Sequence, residues 1–368
     1  MYLKSLRPYQ FRNLEDRSVT FESGVNVIVG QNGQGKTNLV EAIYLLALTK
    51  SFRTSDSSEL IRWGEKSASI FGVVAGSAGD VELGVAIEER GRGFYLNGQK
   101  LKTVTNFLGH FIGVCFSPTD LALLQGAPAG RRKFLDKHIA DLTPAHMGSL
   151  LTYNRALQNK NKLLKEGIHN PALLDSWNQI LAKEALRIVQ EREEFVTLLQ
   201  AKAGKIYAEF CDGDGTLTLG LSTNIKSGLR SPEALLSEYE RYKGREIAIG
   251  NALLGPHRDD LTVTLGSRDA RAFASQGQCR SIVLALTLGV IELLEARRGE
   301  SPVVLLDDVN SELDKKRSDA FFSLVLQQNR QIFVTGTDAS VSHLTVGKGY
   351  NVLMAEAGRV STVTANNS

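Results

Sequence analysis

The sequence predicts an α/β fold in which both ends of the chain form one domain and the middle forms a second, α-helical domain. A strand, a glycine-rich turn and a helix follow one another near the N-terminus, and an apolar strand that ends in two carboxylates lies near the C-terminus. Long amphipathic helical patterns fill most of the segment between them. We therefore expect residues 1–118 and 250–368 to form the first domain and residues 119–249 the second.

The composition is that of an ordinary folded protein. The chain has 368 residues, of which 42% are hydrophobic and 23% are charged, and this excludes wholesale disorder, a collagen-like fibre and a disulfide scaffold. The net charge is only +3, so a nucleic-acid partner would have to bind local basic clusters. The three cysteines form no CxxC pair and suit a reducing compartment. Because neither a signal peptide nor a membrane-spanning run is recognisable, we expect a cytoplasmic protein without a membrane partner.

Short β-branched and aromatic runs predict strands in the N-terminal part, at residues 19–21, 25–29 and in a zone from 69 to 96. The run 25–29 leads into a loop that fits the pattern GxxxxGK[ST]. The segment 38–46 after the loop is expected to form the helix that follows such a loop. The loop consists of Gly30, Gln31, Asn32, Gly33, Gln34, Gly35, Lys36 and Thr37.

This strand, loop and helix predict a site for the phosphates of ATP. Glycines allow successive backbone N–H groups to point at a phosphate, at the positive end of the helix dipole. We expect Lys36 to contact the β- and γ-phosphate oxygens and the Thr37 hydroxyl to bind Mg²⁺. The alternative is a glycine-rich turn that only begins a structural helix.

The second half of the predicted site comes near the other end of the chain. The run 303–306 is apolar throughout and is followed by Asp307 and Asp308. Such a run is typical of a central strand in a parallel sheet, whose carboxyl end faces the ligand. We expect Asp307 to hold Mg²⁺ and Asp308 to orient or polarise the attacking water, which makes Lys36, Asp307 and Asp308 the candidate catalytic residues. A solvated turn is the alternative.

Helical periodicity dominates the middle of the chain. Leu150, Leu157 and Leu164 recur every seven residues, and after a Gly/Pro break a second helix is predicted from Leu173 to about Phe210. The two helices predict an antiparallel hairpin, and the second could reach roughly 50–60 Å. The periodicity fits a projecting arm and an ordinary helical subdomain equally well.

The order of the segments resembles the ABC-type ATPase head, in which a Walker A loop, a signature, a Walker B strand and a D-loop follow one another. The loop at 30–37 corresponds to the Walker A loop, and the strand that ends at Asp307 corresponds to the Walker B strand. The segment 311–314 follows it as the D-loop. The signature corresponds to Ser275, Gln276, Gly277 and Gln278. The long helical insertion resembles the SMC branch of these ATPases, so the fold is expected to be an SMC-like P-loop head with an inserted helical arm.

Within that branch, four further segments resemble the RecF family of bacterial recombination mediators. They are Phe52-Arg53-Thr54, the run 116–121 (FSPTDL), the run 131–136 (RRKFLD) and the run 255–260 (GPHRDD). The resemblance covers both ends of the chain. It also fits the shortness of the predicted arm, because SMC proteins have far longer coiled coils.

The resemblance implies an ATP-dependent homodimer with weak DNA-dependent ATPase activity. Each ATP would lie between the Walker A loop of one subunit and the signature of the other, so that Ser275 and the Gly277 backbone contact the γ-phosphate in trans. The dimer would bind double-stranded and gapped DNA without sequence preference and would help load RecA together with RecR and RecO. These partners rest on the resemblance alone.

Several positions depart from the family pattern. Gln276 replaces a glycine of the usual signature, and Asp308 replaces the usual catalytic glutamate, which would suit slow hydrolysis. The transporter-type switch histidine has no counterpart, and Thr337 or Asp338 would stand in its place. The run 116–121 occupies the position of the Q-loop.

Other polar clusters leave two interpretations open. The segment His257-Arg258-Asp259-Asp260 is either a structural ion-pair cluster or a group near the nucleotide, and Arg12 and Arg53 either brace phosphates or are solvated. Three basic clusters could contact DNA phosphates or could simply be charged helix faces. They are Arg131-Arg132-Lys133-Lys137, Lys160-Lys162-Lys165 and Arg241-Lys243-Arg245.

Two other functional classes are alternatives. One is the nucleotide-binding subunit of a membrane transporter, which the inserted arm and the absent switch histidine disfavour. The other is an SMC-like ATPase that serves a separate nuclease chain.

Overall fold

The computed structural model describes residues 1–54, 56–77, 79–88, 91–167, 171–210, 215–308, 315–326, 330–337 and 350–363. The chain forms two compact units. Unit 1 consists of Met1–Leu121, Lys205–Asp212 and Ser275–Ser368, and unit 2 consists of Ala122–Gly204 and Gly213–Ala274. Both ends of the chain therefore lie in one unit.

The described strands are β1 (Tyr2–Tyr9), β2 (Val19–Thr20), β3 (Val25–Val29), β4 (Ser67–Gly76), β5 (Gly79–Glu88), β6 (Gly91–Leu96), β7 (Gln99–Lys100), β8 (Gly113–Phe116), β9 (Leu217–Ser222), β10 (Asp260–Leu265), β11 (Arg268–Asp269), β12 (Val303–Leu306), β13 (Ile332–Gly336), β14 (Tyr350–Glu356) and β15 (Arg359–Thr362). The described α-helices are α1 (Lys36–Leu48), α2 (Ala122–Gln125), α3 (Pro128–Leu142), α4 (Ala145–Lys165), α5 (Pro171–Phe210), α6 (Pro232–Ile249), α7 (Ala270–Phe273), α8 (Gln276–Arg298) and α9 (Lys315–Leu326).

A mostly parallel sheet in unit 1 joins strands from both ends of the chain. Its order is β15-β14-β3-β13-β12-β8, and only the edge strand β15 runs antiparallel to its neighbour. Every residue of β12 is buried, as expected for a parallel strand covered on both faces. The carboxyl ends of β3 and β12 therefore lie at the same edge of the sheet.

A second sheet in unit 1 is antiparallel, with the order β2-β1-β4-β5-β6-β7. One hydrophobic cluster combines side chains of this sheet, of α1 and of the parallel sheet, among them Leu6, Ile43, Val85 and Leu305, each fully buried. A buried aliphatic side chain of this size stabilises the fold by roughly 1.5–3 kcal/mol. The cluster thus fixes α1, and the loop before it, against both sheets.

Unit 2 contains α4 and most of α5, the two long helices that the sequence predicts, whereas the end of α5 from Lys205 onward belongs to unit 1. Leu150 and Tyr153 of α4 share a buried cluster with Ala185 and Ile188 of α5 and with Tyr239 of α6. The unit also contains an antiparallel sheet, in the order β11-β10-β9, and is not wholly helical. The predicted end of the insertion at residue 249 differs from the observed end at Ala274, because β10 pairs with β9 inside the unit.

The turn between β14 and β15 packs against the glycine-rich loop. The Gly358 N–H donates to the Gln34 carbonyl at 3.0 Å, and the Glu15 N–H donates to the Gly358 carbonyl at 2.9 Å. Gly358 has φ +85°, and a Cβ atom there would lie 1.8 Å from the Asn13 carbonyl oxygen. Only glycine fits this contact between backbones.

Gly358→Ala should therefore lower the free energy of unfolding by more than about 3 kcal/mol, because strain and a backbone clash combine. Gly64→Ala is a matched control with φ +88° and no atom near the new Cβ, and it should cost only about 1–2 kcal/mol. Urea denaturation followed by circular dichroism measures both. Equal losses would show that the close approach at Gly358 does not exist.

Candidate functional site

The glycine-rich loop presents the start of α1 as an anion site. The loop leaves β3 at Val29, and Gly35 is the N-cap of α1, with φ 109° and no side-chain cap. The first backbone N–H groups of α1 are thus left without a side-chain acceptor, at the positive end of the helix dipole. Phosphate groups are the natural ligands of such an end.

The Lys36 ammonium folds back over the loop. Its Nζ atom donates to the carbonyl oxygens of Gly30 at 2.6 Å and Gln31 at 2.9 Å. These bonds hold the cation above the curve of the loop, where its charge adds to that of the helix end. Lys36 and the N-terminus of α1 together form a cationic site for an oxyanion.

Asp307 contacts two hydroxyl groups from distant parts of the chain. Its Oδ1 atom accepts from Thr37 Oγ1 at 3.1 Å and from Thr335 Oγ1 at 2.8 Å. Burial raises the pKa of Asp307, and the nearby charge of Asp308 also raises it, whereas the two hydroxyl groups lower it. A buried carboxylate next to a threonine hydroxyl offers the hard oxygen ligands that Mg²⁺ prefers.

The residues fit a magnesium ion that keeps part of its water and phosphate shell. The described residues contain no group of three or more His, Cys, Asp or Glu side chains that could hold a metal. Mg²⁺ commonly binds through only one or two carboxylates together with phosphates. Thr37 and Asp307 are the residues that would hold it.

Asp308 differs from Asp307 in its environment. It is exposed and has the left-handed backbone angle φ 51°, and its N–H donates to Thr335 Oγ1 at 3.0 Å. Thr335 therefore binds both members of the carboxylate pair. The sequence alone does not predict this role of Thr335, because a single threonine in the apolar strand β13 is a weak signal.

The Ser275–Gln278 segment forms the start of α8. Ser275 is its N-cap, and a reciprocal capping box joins it to Gln278: the Ser275 N–H donates at 2.8 Å, and the Gln278 N–H donates back at 3.2 Å. Ser275 and Gln276 are exposed. No hydrogen bond among the described residues joins this segment to the loop 30–37.

Arg12 and Arg53 both contact the buried carboxylate of Glu41. Arg12 binds it through two bonds of 3.0 Å, and Arg53 lies 3.4 Å from it and 2.8 Å from Asn38 Oδ1. Glu41 is on α1, one turn after Thr37. Arg12 is thus held in a bidentate ion pair, while the Arg53 side chain is 41% exposed and makes its hydrogen bonds among the described residues through Nη1.

Comparison with known proteins supports the resemblance found in the sequence. The family model for the RecF/RecN/SMC N-terminal domain matches residues 2–361. A DNA replication and repair protein RecF of Bacillus cytotoxicus is 37% identical over 96% of each chain. A relative of the same name from Halalkalibacterium halodurans is 36% identical over 94% of this chain and 95% of its own length. The chain belongs to the RecF family.

Solved structures agree with this assignment. The structure of the recombination mediator protein RecF with ATP matches with a TM-score of 0.90 and 32% identity, over 99% of this chain and 98% of that one. An Smc head bound to the C-winged helix domain of ScpA matches with a TM-score of 0.58 at 16% identity, over 100% and 98% of the two chains. This second likeness shows the fold alone. The predicted SMC-like α/β head is therefore confirmed.

The predicted Q-loop and switch positions of this RecF-family chain lie partly within the described residues, and the predicted D-loop lies outside them. Ser117, at the place of the Q-loop, is buried beside the carboxyl end of β12, and its N–H donates to Asp120 Oδ2 at 2.6 Å. Thr337 directly follows β13. The predicted D-loop at 311–314 and the switch candidate Asp338 lie outside the described residues. No helix in the described part of the chain is long and apolar enough to cross a membrane.

The segment 257–260 forms a structural cluster inside unit 2. Asp259 accepts from Arg192 Nη1 at 2.8 Å, and Asp260 accepts from Arg131 Nε at 2.6 Å. The Tyr153 hydroxyl donates to His257 Nδ1 at 2.6 Å, and His257 Nε2 lies 3.2 Å from the Ala252 carbonyl. Of the two interpretations of this segment, these contacts favour the ion-pair cluster.

Two of the three basic clusters each contain a residue whose side chain is buried. Arg131 is 1% exposed and Lys160 is 2% exposed. Lys160 pairs with the buried Glu246 at 2.7 Å. Neither cation can reach DNA phosphates, because removing one partner of a buried pair leaves the other charge uncompensated.

Acidification should destabilise unit 2 through His257. Burial is the main cause that lowers its pKa from 6.5 to about 4, so between these values the unfolded chain binds a proton that the folded chain does not. The contribution of neutral His257 to the free energy of unfolding is therefore fully present above about pH 6.5 and falls by about 1.4 kcal/mol per pH unit as the pH decreases toward 4.

His257→Gln should make this dependence shallower. Urea denaturation between pH 4.5 and 7.5, followed by circular dichroism, measures the difference in slope between the variant and the wild type. His138, whose pKa is also lowered to about 4 by burial, remains in the variant and keeps part of the slope. If the free energies of unfolding of the variant and the wild type change equally with pH, His257 does not contribute to the pH dependence.

Proposed function

We propose that the chain is an ATP-dependent DNA-binding recombination mediator. Two copies, joined by ATP, clamp duplex DNA near single-strand gaps, assist RecA loading together with RecR and RecO, and are released by slow hydrolysis. The observation that carries the proposal is the meeting of Thr37 and Asp307 beside the loop of Lys36, in a chain of the RecF family. The ATP complex of a RecF protein with the same fold supports ATP as the ligand.

In this proposal, each residue of the loop site has a separate task. The α1 N–H groups and Lys36 bind the phosphates, and the two bonds of Lys36 Nζ to the loop carbonyls leave its third N–H for a phosphate oxygen. Thr37 and Asp307 hold Mg²⁺, which supplies positive charge against the phosphate oxygens. Thr335 fixes the orientation of Asp307 through its hydroxyl group, so the carboxylate needs little rearrangement on binding.

Asp308 is the proposed group that orients the attacking water. It is one methylene shorter than the glutamate of related ATPases, so its reach toward the nucleotide is reduced. Slow ATP hydrolysis is the expected consequence, and its dependence on DNA is proposed from the family resemblance. Slow turnover suits a protein in which hydrolysis resets a clamp instead of driving a motor.

The signature segment completes the site of a second copy. Ser275 and Gln276 are exposed at the N-terminus of the 23-residue helix α8, where an incoming γ-phosphate would meet the helix dipole. Ligand binding across two copies would explain why no hydrogen bond links this segment to the loop within the described part of one chain. ATP is then part of the dimer interface.

The proposal of DNA and protein partners is based on the similarity of this chain to its relatives. Those relatives are named DNA replication and repair proteins and a recombination mediator of the RecFOR pathway, and we place this chain in the same pathway, in the cytoplasm. The likeness over nearly the whole chain favours this function over a transporter subunit. It also favours it over an ATPase that serves a nuclease.

Binding to a fluorescent gapped duplex, titrated with ATP and with ADP at fixed salt, tests the proposal. ATP should tighten binding at least about tenfold, which corresponds to about 1.4 kcal/mol. Lys36→Ala should abolish ATP binding and with it the difference between the nucleotides. Equal binding of the wild type with ATP and ADP would separate the nucleotide site from DNA.

Asp308→Asn should reduce phosphate release by about 10²-fold or more, since orienting groups of this kind contribute 10²–10⁴. The ATP-bound dimer should persist, and light scattering after size-exclusion chromatography detects it. Asp175→Asn, at an exposed position of α5, is the control and should keep full turnover. Normal turnover of Asp308→Asn would remove this residue from the mechanism.

Ser275→Arg should leave ATP binding by the monomer intact and block ATP-dependent dimerisation, because the large cation occupies the place of the γ-phosphate. The variant also loses an N-cap, worth about 1 kcal/mol. Ser231→Arg is the matched control, since Ser231 caps α6 through the Ala234 N–H at 3.2 Å. Analytical ultracentrifugation with ATP decides the question, and a normal dimer of Ser275→Arg would contradict the trans contact.

A further inference from the structure

The antiparallel sheet of unit 1 has one face that the ATPase site does not use. Its inner face carries Leu6, Ile70 and Val85 into the core. Because side chains alternate along a strand, Arg7 and Phe71 lie on the opposite face. Arg7 is exposed, and Phe71 is half-buried.

One cross-strand row on this outer face is aromatic and basic. Arg7 of β1 pairs with Phe71 of β4, Phe71 pairs with Gly84 of β5, Gly84 pairs with Tyr95 of β6, and Tyr95 pairs with Lys100 of β7. The adjacent row begins with Tyr9, which is 48% exposed, opposite Ser69. We call the residues Arg7, Tyr9, Phe71, Tyr95 and Lys100 the aromatic platform.

Two glycines make room for the aromatic rings of the platform. A Cβ atom on Gly84 would lie 2.4 Å from Phe71 Cε1, and one on Gly93 would lie 3.3 Å from Tyr95 Cε2. The rings therefore lie across the backbone of β5 and β6, with their centroids 6.1 Å apart. Side chains at either glycine would push the rings off the sheet.

The charges of the two rows favour an anionic partner. Arg7 and Lys100 take part in none of the ion pairs formed by the described residues, and neither row contains a carboxylate. The acids of this face lie in neighbouring rows: Glu82 is opposite Val73, and Glu88 is opposite Ser67. Asp80 is neutralised by Lys4 at 2.6 Å.

A nearly fully exposed tryptophan lies at the same end of the sheet as Tyr9. Trp63 is 99% exposed, in the loop before β4. The Arg62 N–H donates to the Gln10 carbonyl at 2.8 Å, which holds this loop beside the end of β1. The exposed Trp63 indole buries almost none of its apolar surface in the protein, so the ring is available to pack against a ligand.

We propose that the aromatic platform binds single-stranded DNA. Its rings stack on unpaired bases while Arg7 and Lys100 contact the phosphates on either side. Sheets that present aromatic side chains in this way bind single strands in other folds, and each base offers a π-face whatever its sequence. A duplex keeps its base faces stacked inside, so the aromatic groups select the unpaired strand.

The proposal extends the function proposed above, because a gapped duplex contains a single-stranded segment. It assigns that segment to the platform and requires no nucleotide at the loop of Lys36. Duplex and single strand are then bound by different surfaces, and separate probes can distinguish them.

Fluorescence anisotropy with a labelled oligo(dT) of about 16 nucleotides tests the platform. The double variant Phe71→Ala/Tyr95→Ala should lose at least about tenfold in affinity, given the usual contribution of base stacking. Phe71→Tyr/Tyr95→Phe keeps both rings and should bind within about twofold of the wild type. Tyr350→Ala, an exposed tyrosine on the parallel sheet, should bind normally, and unchanged ATP binding verifies that the variants are folded.

Salt dependence gives a second signature. For single strands the slope of log K against log salt is about −0.7 per phosphate contact, so Arg7→Ala and Lys100→Ala should each reduce it by about 0.7. A purely structural effect of these exposed residues would leave the slope unchanged.

Three results would overturn the proposal: no binding of oligo(dT) by the wild type, full binding by the double alanine variant, or an equal loss in Tyr350→Ala. A blunt duplex titrated with ATP is the parallel probe for the proposed function. If the wild type binds oligo(dT) through the platform but not the duplex, the platform is supported and the duplex clamp fails.

Discussion

Parallel pairing of β3 with β13, and of β13 with β12, is the constraint on which the proposed ATP site depends. Val29 pairs with Gly336, and Leu306 pairs with Val334, so the glycine-rich loop and the two carboxylates leave the sheet at one edge. A shift of one residue would move Asp307 by about 3.3 Å and reverse the faces of its strand. The bond from Thr37 to Asp307 would not survive that shift.

Buried charge has different uses in the two units. In unit 1, Asp307 is held by neutral hydroxyl groups, which leaves its negative charge available for a cation. In unit 2, the charges compensate one another: Arg192 binds Asp136 and Asp259, and all three are largely buried. Desolvation offsets much of the attraction in such networks, so they add less stability than their short distances suggest.

Local patterns in the sequence predicted the strand before the loop, the loop itself, the apolar strand before Asp307 and both long helices. Each has a signal within a few residues: apolar runs, glycine spacing or helical periodicity. The contacts of Thr335 with Asp307 and Asp308 were not predicted, because they depend on the register between β13 and the neighbouring strand β12. The burial of Arg131 and the end of unit 2 at Ala274 were missed for the same reason, since Asp260 and the β9–β10 pairing are remote in sequence.

The support of the glycine-rich loop by Gly358 has a consequence for synthesis. A ribosome completes Thr37 about 320 residues before Gly358, which takes roughly 16–60 s at the usual rate of translation. During that time the loop lacks its bond from the Gly358 N–H and its contact with the β14–β15 turn. The nascent chain therefore cannot complete the backbone support of the glycine-rich loop until the β14–β15 turn has been synthesised, so the proposed ATP site stays unfinished until then.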